Sequence, residues 1–73
     1  MPVAFVLINV ELGHEDAVRE AFLKIEGVKE AYRIYGIYDQ IVRVETKTDM
    51  GEVLTKIRHQ PHVRSTLTMI VIE

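Results

Sequence analysis

Val3-Ala4-Phe5-Val6-Leu7-Ile8-Asn9-Val10 is the stretch that decides how this chain folds. It is apolar at almost every position and rich in β-branched side chains. A strand with one face in water alternates, whereas one covered on both faces does not. The stretch therefore predicts a central strand with protein on both sides. Only Met1 and Pro2 precede it, and Asn9, Val10 and Glu11 follow, so it lacks the flanks of a secretory signal. It is also far too short to span a bilayer. A cytoplasmic location is the expectation, although a chain without cysteine fits any compartment.

Moving outward, Val18, Ala21, Phe22 and Ile25 repeat at helical spacing, with Glu15 and Asp16 in the first turn and Lys24 in the last. Gly27 stands where a left-handed residue ends a helix. Glu15–Arg19 and Glu20–Lys24 are expected to pair on the wet face. Val28 to Tyr35 and Gln40 to Thr46 read as strands, and the short Gly36-Ile37-Tyr38-Asp39 link makes them an antiparallel hairpin. Thr48 or Asp49 caps a second helix, with Asp49 and Glu52 at capping-box spacing. Met50, Val53, Leu54 and Ile57 form its apolar stripe, Glu52–Lys56 a surface pair, and Pro61 its stop. Val63 to Ile72 forms the last strand.

The order strand, helix, strand, strand, helix, strand has an internal echo. At an offset of 35 residues Val18 falls on Val53, Phe22 on Ile57 and Val28 on Val63. Two β-α-β units with right-handed crossovers give an α+β, ferredoxin-like βαββαβ plait. Its four-stranded antiparallel sheet carries both helices on one face. The other face is left apolar, since Val3, Phe5 and Leu7 alternate with Ala4, Val6 and Ile8, and the last strand is similar. Arg43 and Glu45 share a face and are expected on the uncovered side, giving a mixed apolar and ion-paired dimer surface.

Size points the same way. A chain of 73 residues makes one domain with a marginal core, and the absence of cysteine removes disulfides and thiolate metal sites, leaving self-association as the source of extra stability. Nine basic and eleven acidic side chains give a net charge of −2, without the basic surplus that phosphate neutralisation needs, so direct nucleic-acid binding is not expected.

Three motifs carry a family resemblance: Gly27-Val28 entering the second strand, the G-x-x-D turn Gly36-Ile37-Tyr38-Asp39, and V-x-x-T-x-T in Val63-Arg64-Ser65-Thr66-Leu67-Thr68. In this order, across the whole 73 residues, they resemble the effector-binding domain of the leucine-responsive regulatory protein and asparagine regulator family (Lrp/AsnC), also called the RAM domain (regulation of amino acid metabolism). Regulators of that family carry a helix-turn-helix before this domain. Nothing before Pro2 supplies one, so the resemblance is to the stand-alone module.

The resemblance implies a small ligand, an amino acid foremost, held near the hairpin turn at contacts between dimers, with Gly36, Tyr38 and Asp39 at the matching positions. Physically, a glycine lets backbone N–H groups approach a carboxylate, and a nearby carboxylate holds an ammonium group. Gly36 and Asp39 are equally ordinary turn residues. Thr66 and Thr68 project from one strand face and match further ligand-contacting positions, although threonine is also simply a good strand residue. His59-Gln60-Pro61-His62 straddles a proline, shares no helix face and lacks a third ligand by spacing, so it reads as a surface loop; His14 reads likewise, and no metal site is expected. Tyr32, Tyr35 and Tyr38 are expected at sheet edges and interfaces.

The chain thus reads as a binding module without cofactor and not an enzyme: homodimers formed through the sheets, assembled into a ring. The effector sits between dimers and alters assembly or contacts with a full-length regulator. The competing reading is a small cofactor-free enzyme of the dimeric α/β-barrel type, which needs a roomy cavity between sheet and helices.

Overall fold

The Val3–Val10 run forms β1 and is flanked on both edges. β3 (Gln40–Glu45) pairs with one side and β4 (Val63–Ile70) with the other, both antiparallel, and β2 (Val28–Arg33) adds beyond β3, for the order β2-β3-β1-β4. Helices α1 (Glu15–Leu23) and α2 (Met50–Arg58) complete this computed structural model, which describes residues 1–72. The architecture is the ferredoxin-like βαββαβ plait.

Both helices cover one face. Ala4, Val6, Ile8 and Val10 of β1 join Val42 and Val44 of β3 beneath Val18 and Phe22 of α1 and Val53 and Ile57 of α2, all buried. The 35-residue echo is therefore physical, because Val18/Val53 and Phe22/Ile57 are the buried residues of the two helices. Fully burying side chains of this size contributes roughly 1.5–3 kcal/mol each.

On the other face the cross-strand partners Val3/Glu45, Phe5/Arg43/Met69 and Leu7/Ile41/Leu67 lie side by side. β1 is thus central in its sheet, but its second face is only half-buried, and Leu67 and Met69 are each 45% exposed. Arg43 does lie here. Its Nε is 2.7 Å from Glu30 Oε1 and its Nη1 is 3.0 Å from Glu45 Oε1.

Several boundaries differ from expectation for local reasons. β2 stops at Arg33 and not Tyr35, because Ile34 N–H already donates to the Asp39 carbonyl and closes the hairpin loop. β3 ends at Glu45, where the Thr46 hydroxyl turns to Thr48 N–H and Oγ1. β4 ends at Ile70, since Val71 N–H on the Val3 carbonyl exhausts the length of β1. α1 ends at Leu23, so Lys24 is its C-cap, and Gly27 (φ +103°) closes the turn into β2 and does not cap the helix.

Of the surface pairs, Glu52–Lys56 forms at 3.8 Å. Arg19 instead donates through Nε to the Ala31 carbonyl at 2.7 Å, strapping α1 to β2, and Glu15 Oε1 accepts from Gly13 N–H. Asp49 is the N-cap of α2, its Oδ1 accepting from Glu52 N–H.

Candidate functional site

The hairpin loop lies at one end of the sheet and is organised by Asp39. Its N–H donates to the Ile8 carbonyl at 2.9 Å, its carbonyl accepts from Ile34 N–H, and its Oδ2 accepts from Val10 N–H at 2.8 Å. β1 and β4 shift register between Asn9 and Val10, and the Asp39 carboxylate takes the Val10 amide at that irregularity. One carboxylate oxygen is thereby committed to the fold, while Oδ1 accepts no hydrogen bond among the described residues.

Gly36 sits at φ +141° with open space where a Cβ would stand. Tyr38 is half-buried, while Tyr35 is fully exposed and Ile37 nearly so, so Tyr35 does not pack on the sheet within one copy. Beside the loop a shallow depression of about 320 Å³ is lined by Arg33, Ile34 and Tyr35. Arg33 Nη1 lies 3.2 Å from Asp16 Oδ1, a solvent-exposed contact.

Thr66 and Thr68 share a face, as their spacing requires, and it is the helix-covered one: they pair with Ile8 and Val6. They belong to the edge strand β4, across β1 from Asp39, and two strand spacings amount to about 10 Å. One copy therefore gathers Gly36, Tyr38 and Asp39 into a loop and holds the two threonines apart from it.

The fold also brings together residues that sequence spacing had kept separate. His14, the N-cap of α1, stacks on His62, which immediately precedes β4, with ring centroids 3.6 Å apart and 9° between planes. His62 Nδ1 is 3.0 Å from Glu11 Oε1, and this contact, ahead of the charges of the two histidines and Arg64, holds the Glu11 carboxyl below the usual carboxylate range. His59, grouped with His62 by sequence, is the C-cap of α2 and takes no part. Gln40 was equally inconspicuous as the first residue of β3. It is fully buried, its Nε2 donates to the Glu15 carbonyl at 2.7 Å, and its Oε1 has no partner among the described residues.

Residues 3–73 match the Lrp/AsnC ligand binding domain. The chain belongs to this family. The HTH-type transcriptional regulator FL11 of Pyrococcus abyssi is 36% identical over 73 residues, 97% of this chain and 48% of the regulator, so the chain spans about half the length of the regulators it matches. A homocitrate synthase of Sulfolobus acidocaldarius is 37% identical over 59 residues, 78% of this chain but only 13% of that enzyme.

Among solved structures, the hypothetical protein PHS023 from Pyrococcus horikoshii superposes with a TM-score of 0.91 at 46% identity, covering 100% of this chain and 92% of the other. A feast or famine regulatory protein from M. tuberculosis, complexed with L-methionine, gives 0.79 at 25% identity, covering 100% and 51%. The relatives of this Lrp/AsnC domain thus include transcriptional regulators, and the matched family is a ligand-binding one. Among the described residues no helix is long and apolar enough to cross a membrane.

Proposed function

We propose that this Lrp/AsnC domain is an amino-acid-sensing module that works as an oligomer, is not itself an enzyme and does not itself bind nucleic acid. The observation that carries this reading is the exposed loop from Ile34 to Asp39. It sets apolar Ile34, Tyr35 and Ile37 beside an open glycine backbone and a carboxylate with one uncommitted oxygen. An α-amino acid needs an acceptor for its ammonium, N–H donors for its carboxylate and apolar cover for its side chain. The loop offers the first two, and a loop from a second dimer supplies the cover. The tuberculosis relative's complex with L-methionine makes apolar amino acids the first class to test.

Dimers form through the uncovered sheet face, where Phe5, Leu7, Leu67 and Met69 surround the Glu30–Arg43–Glu45 cluster. Dimers then meet through their loops, with Gly36, Tyr38 and Asp39 contacting the effector and Thr66 and Thr68 of a neighbouring copy extending the polar lining. Occupancy alters that assembly or its contacts with a full-length regulator in the cytoplasm. The net charge of −2 supports a role without direct DNA contact. The enzyme reading requires space between sheet and helices, and the full burial of Phe22, Ile8, Ile57, Val6 and Val42 in that layer favours a packed core there instead.

Calorimetric titration with each of the twenty amino acids, alongside sedimentation velocity, tests the proposal. Heat from one or a few of them, with a matching change in sedimentation, is expected. Intact oligomers that take up none of them at millimolar concentration overturn it.

A further inference from the structure

Each half of the chain reports what the local backbone favours at equivalent positions, and two histidines depart from it. Asp49 caps α2 through its side chain; 35 residues earlier, the N-cap of α1 is His14, which makes no capping bond. Gly27 takes φ +103° before β2; 35 residues later, the same place before β4 holds His62 at φ +72°. Aspartate is among the preferred N-caps, and glycine is the residue that takes positive φ without steric cost, so histidine gives up stability at both places.

The two departures converge on one spot. The ligand atoms of Glu11, His14 and His62 all lie within 4.8 Å of one another. Their main chains are tied as well: Glu11 N–H donates to the His62 carbonyl at 2.9 Å, and His14 N–H donates to the Glu11 carbonyl at 3.1 Å. Backbone hydrogen bonds thus fix the three positions, while the side chains are two exposed and one half-buried.

We propose that Glu11, His14 and His62 form a binding site for a divalent transition-metal ion. Two imidazoles with one carboxylate suit zinc, cobalt, nickel or copper and disfavour magnesium and calcium, which prefer all-oxygen shells. Bonds of about 2.0–2.2 Å in a tetrahedral shell place ligand atoms roughly 3.3 Å apart. Small χ rotations that splay the stacked rings bring the three donors to that spacing. The N-terminus of α1 and the nearby Arg64 oppose a cation, and the Glu11 carboxylate with Glu15 and Asp16 in the first turn offsets them. Three protein ligands leave a fourth position for water or an incoming group. The ion clamps the end of β1, the start of α1 and the approach to β4, a site that shares no ligand with the neighbouring amino-acid loop.

The test uses the tag-free chain with Co²⁺ as the optical probe and Zn²⁺ as competitor. The expected result is the intense visible absorption of four-coordinate cobalt, its displacement by zinc, and a rise in melting temperature with zinc concentration. His14→Ser and His62→Gly restore residues the backbone prefers, so both are expected to fold at least as well without metal. Both should lose the cobalt band and weaken zinc binding by more than the roughly 10–100-fold typical of losing an outer-shell partner. Glu11→Gln provides the same readout should either variant fail to fold, and His59→Gln should bind as the parent does. A parent chain that shows neither the band nor a melting shift, or a His62→Gly chain that binds zinc as tightly as the parent, overturns the proposal.

Discussion

The Asp39 carboxylate accepts a 2.8 Å hydrogen bond from the Val10 amide, tying the candidate effector loop to the last residue of the central strand. A residue that reads as a ligand contact is thereby also a structural one. Asp39→Ala strands the partly buried Val10 N–H, and leaving such a donor unpaired costs about 1–3 kcal/mol. Asp39→Asn keeps an acceptor oxygen at that place and removes the charge available to an ammonium group. Urea denaturation should therefore show a clear loss for the alanine variant and near-parental stability for the asparagine one. Amino-acid titration should show weakened binding in both.

Phe22 and its pseudo-symmetric counterpart Ile57 are fully buried between helices and sheet. Truncating a buried phenylalanine to alanine costs about 3–5 kcal/mol, most of what a domain of this size has to spare. Phe22→Ala is expected to be largely unfolded by circular dichroism at low concentration and partly rescued as concentration rises.

Gly27 combines φ +103° with a Val53 methyl 3.0 Å from where a Cβ would stand. Alanine there meets both backbone strain and a buried neighbour, so Gly27→Ala should destabilise by more than about 1 kcal/mol. At Gly36 the surrounding space is open, and only the backbone strain applies. The denaturant midpoints of the two variants should therefore differ, with Gly27→Ala the lower.

Leu67 and Met69 sit exposed on the uncovered sheet face. Leu67→Glu sets a charge among Leu7, Ile41 and Met69, and burying it against a second copy is unfavourable. Sedimentation equilibrium should find the variant dissociated at concentrations where the parent is associated. A variant with the parental mass would remove this face from the assembly.

The hydrogen bond from Arg43 holds the Glu30 carboxyl below the usual carboxylate range. A depressed folded-state value means that the unfolded chain takes up the proton first as pH falls. The stabilisation from this pair is therefore complete above the ordinary carboxylate range and is lost as pH falls through that range to the depressed value. Glu30→Gln should narrow the stability gap between pH 7 and acid, with the two proteins converging at the acid end.

Much of the plait was legible because burial imposes period. The central position of β1, the four buried helix residues and the Asp49 cap all follow from side-chain type at fixed spacing. Strand ends were less legible, since β2, β3 and β4 stop where a neighbour runs out or a Thr46 hydroxyl turns the chain, and neither event is written in propensity. The Arg19–Ala31 strap displaced a helical ion pair that spacing alone favours, because a backbone carbonyl at the sheet edge was nearer. For the candidate loop, the sequence singled out Gly36 and Asp39 as turn residues but held no sign of the Val10 bond, which depends on a register shift. The Glu11–His14–His62 group was invisible as a group, because 51 residues separate its outermost members and only the plait closes that gap.

Ala4 lies opposite Ile70, and Val71 N–H reaches the Val3 carbonyl, so the chain comes in and goes out side by side. The candidate effector loop and the histidine stack sit at the far end of β1, about 23 Å away at strand rise. Cargo fused at either terminus therefore hangs from one corner and leaves the opposite rim unobstructed. Such an attachment makes the unit portable, and its recurrence in both helix-turn-helix regulators and a synthase is what that geometry permits.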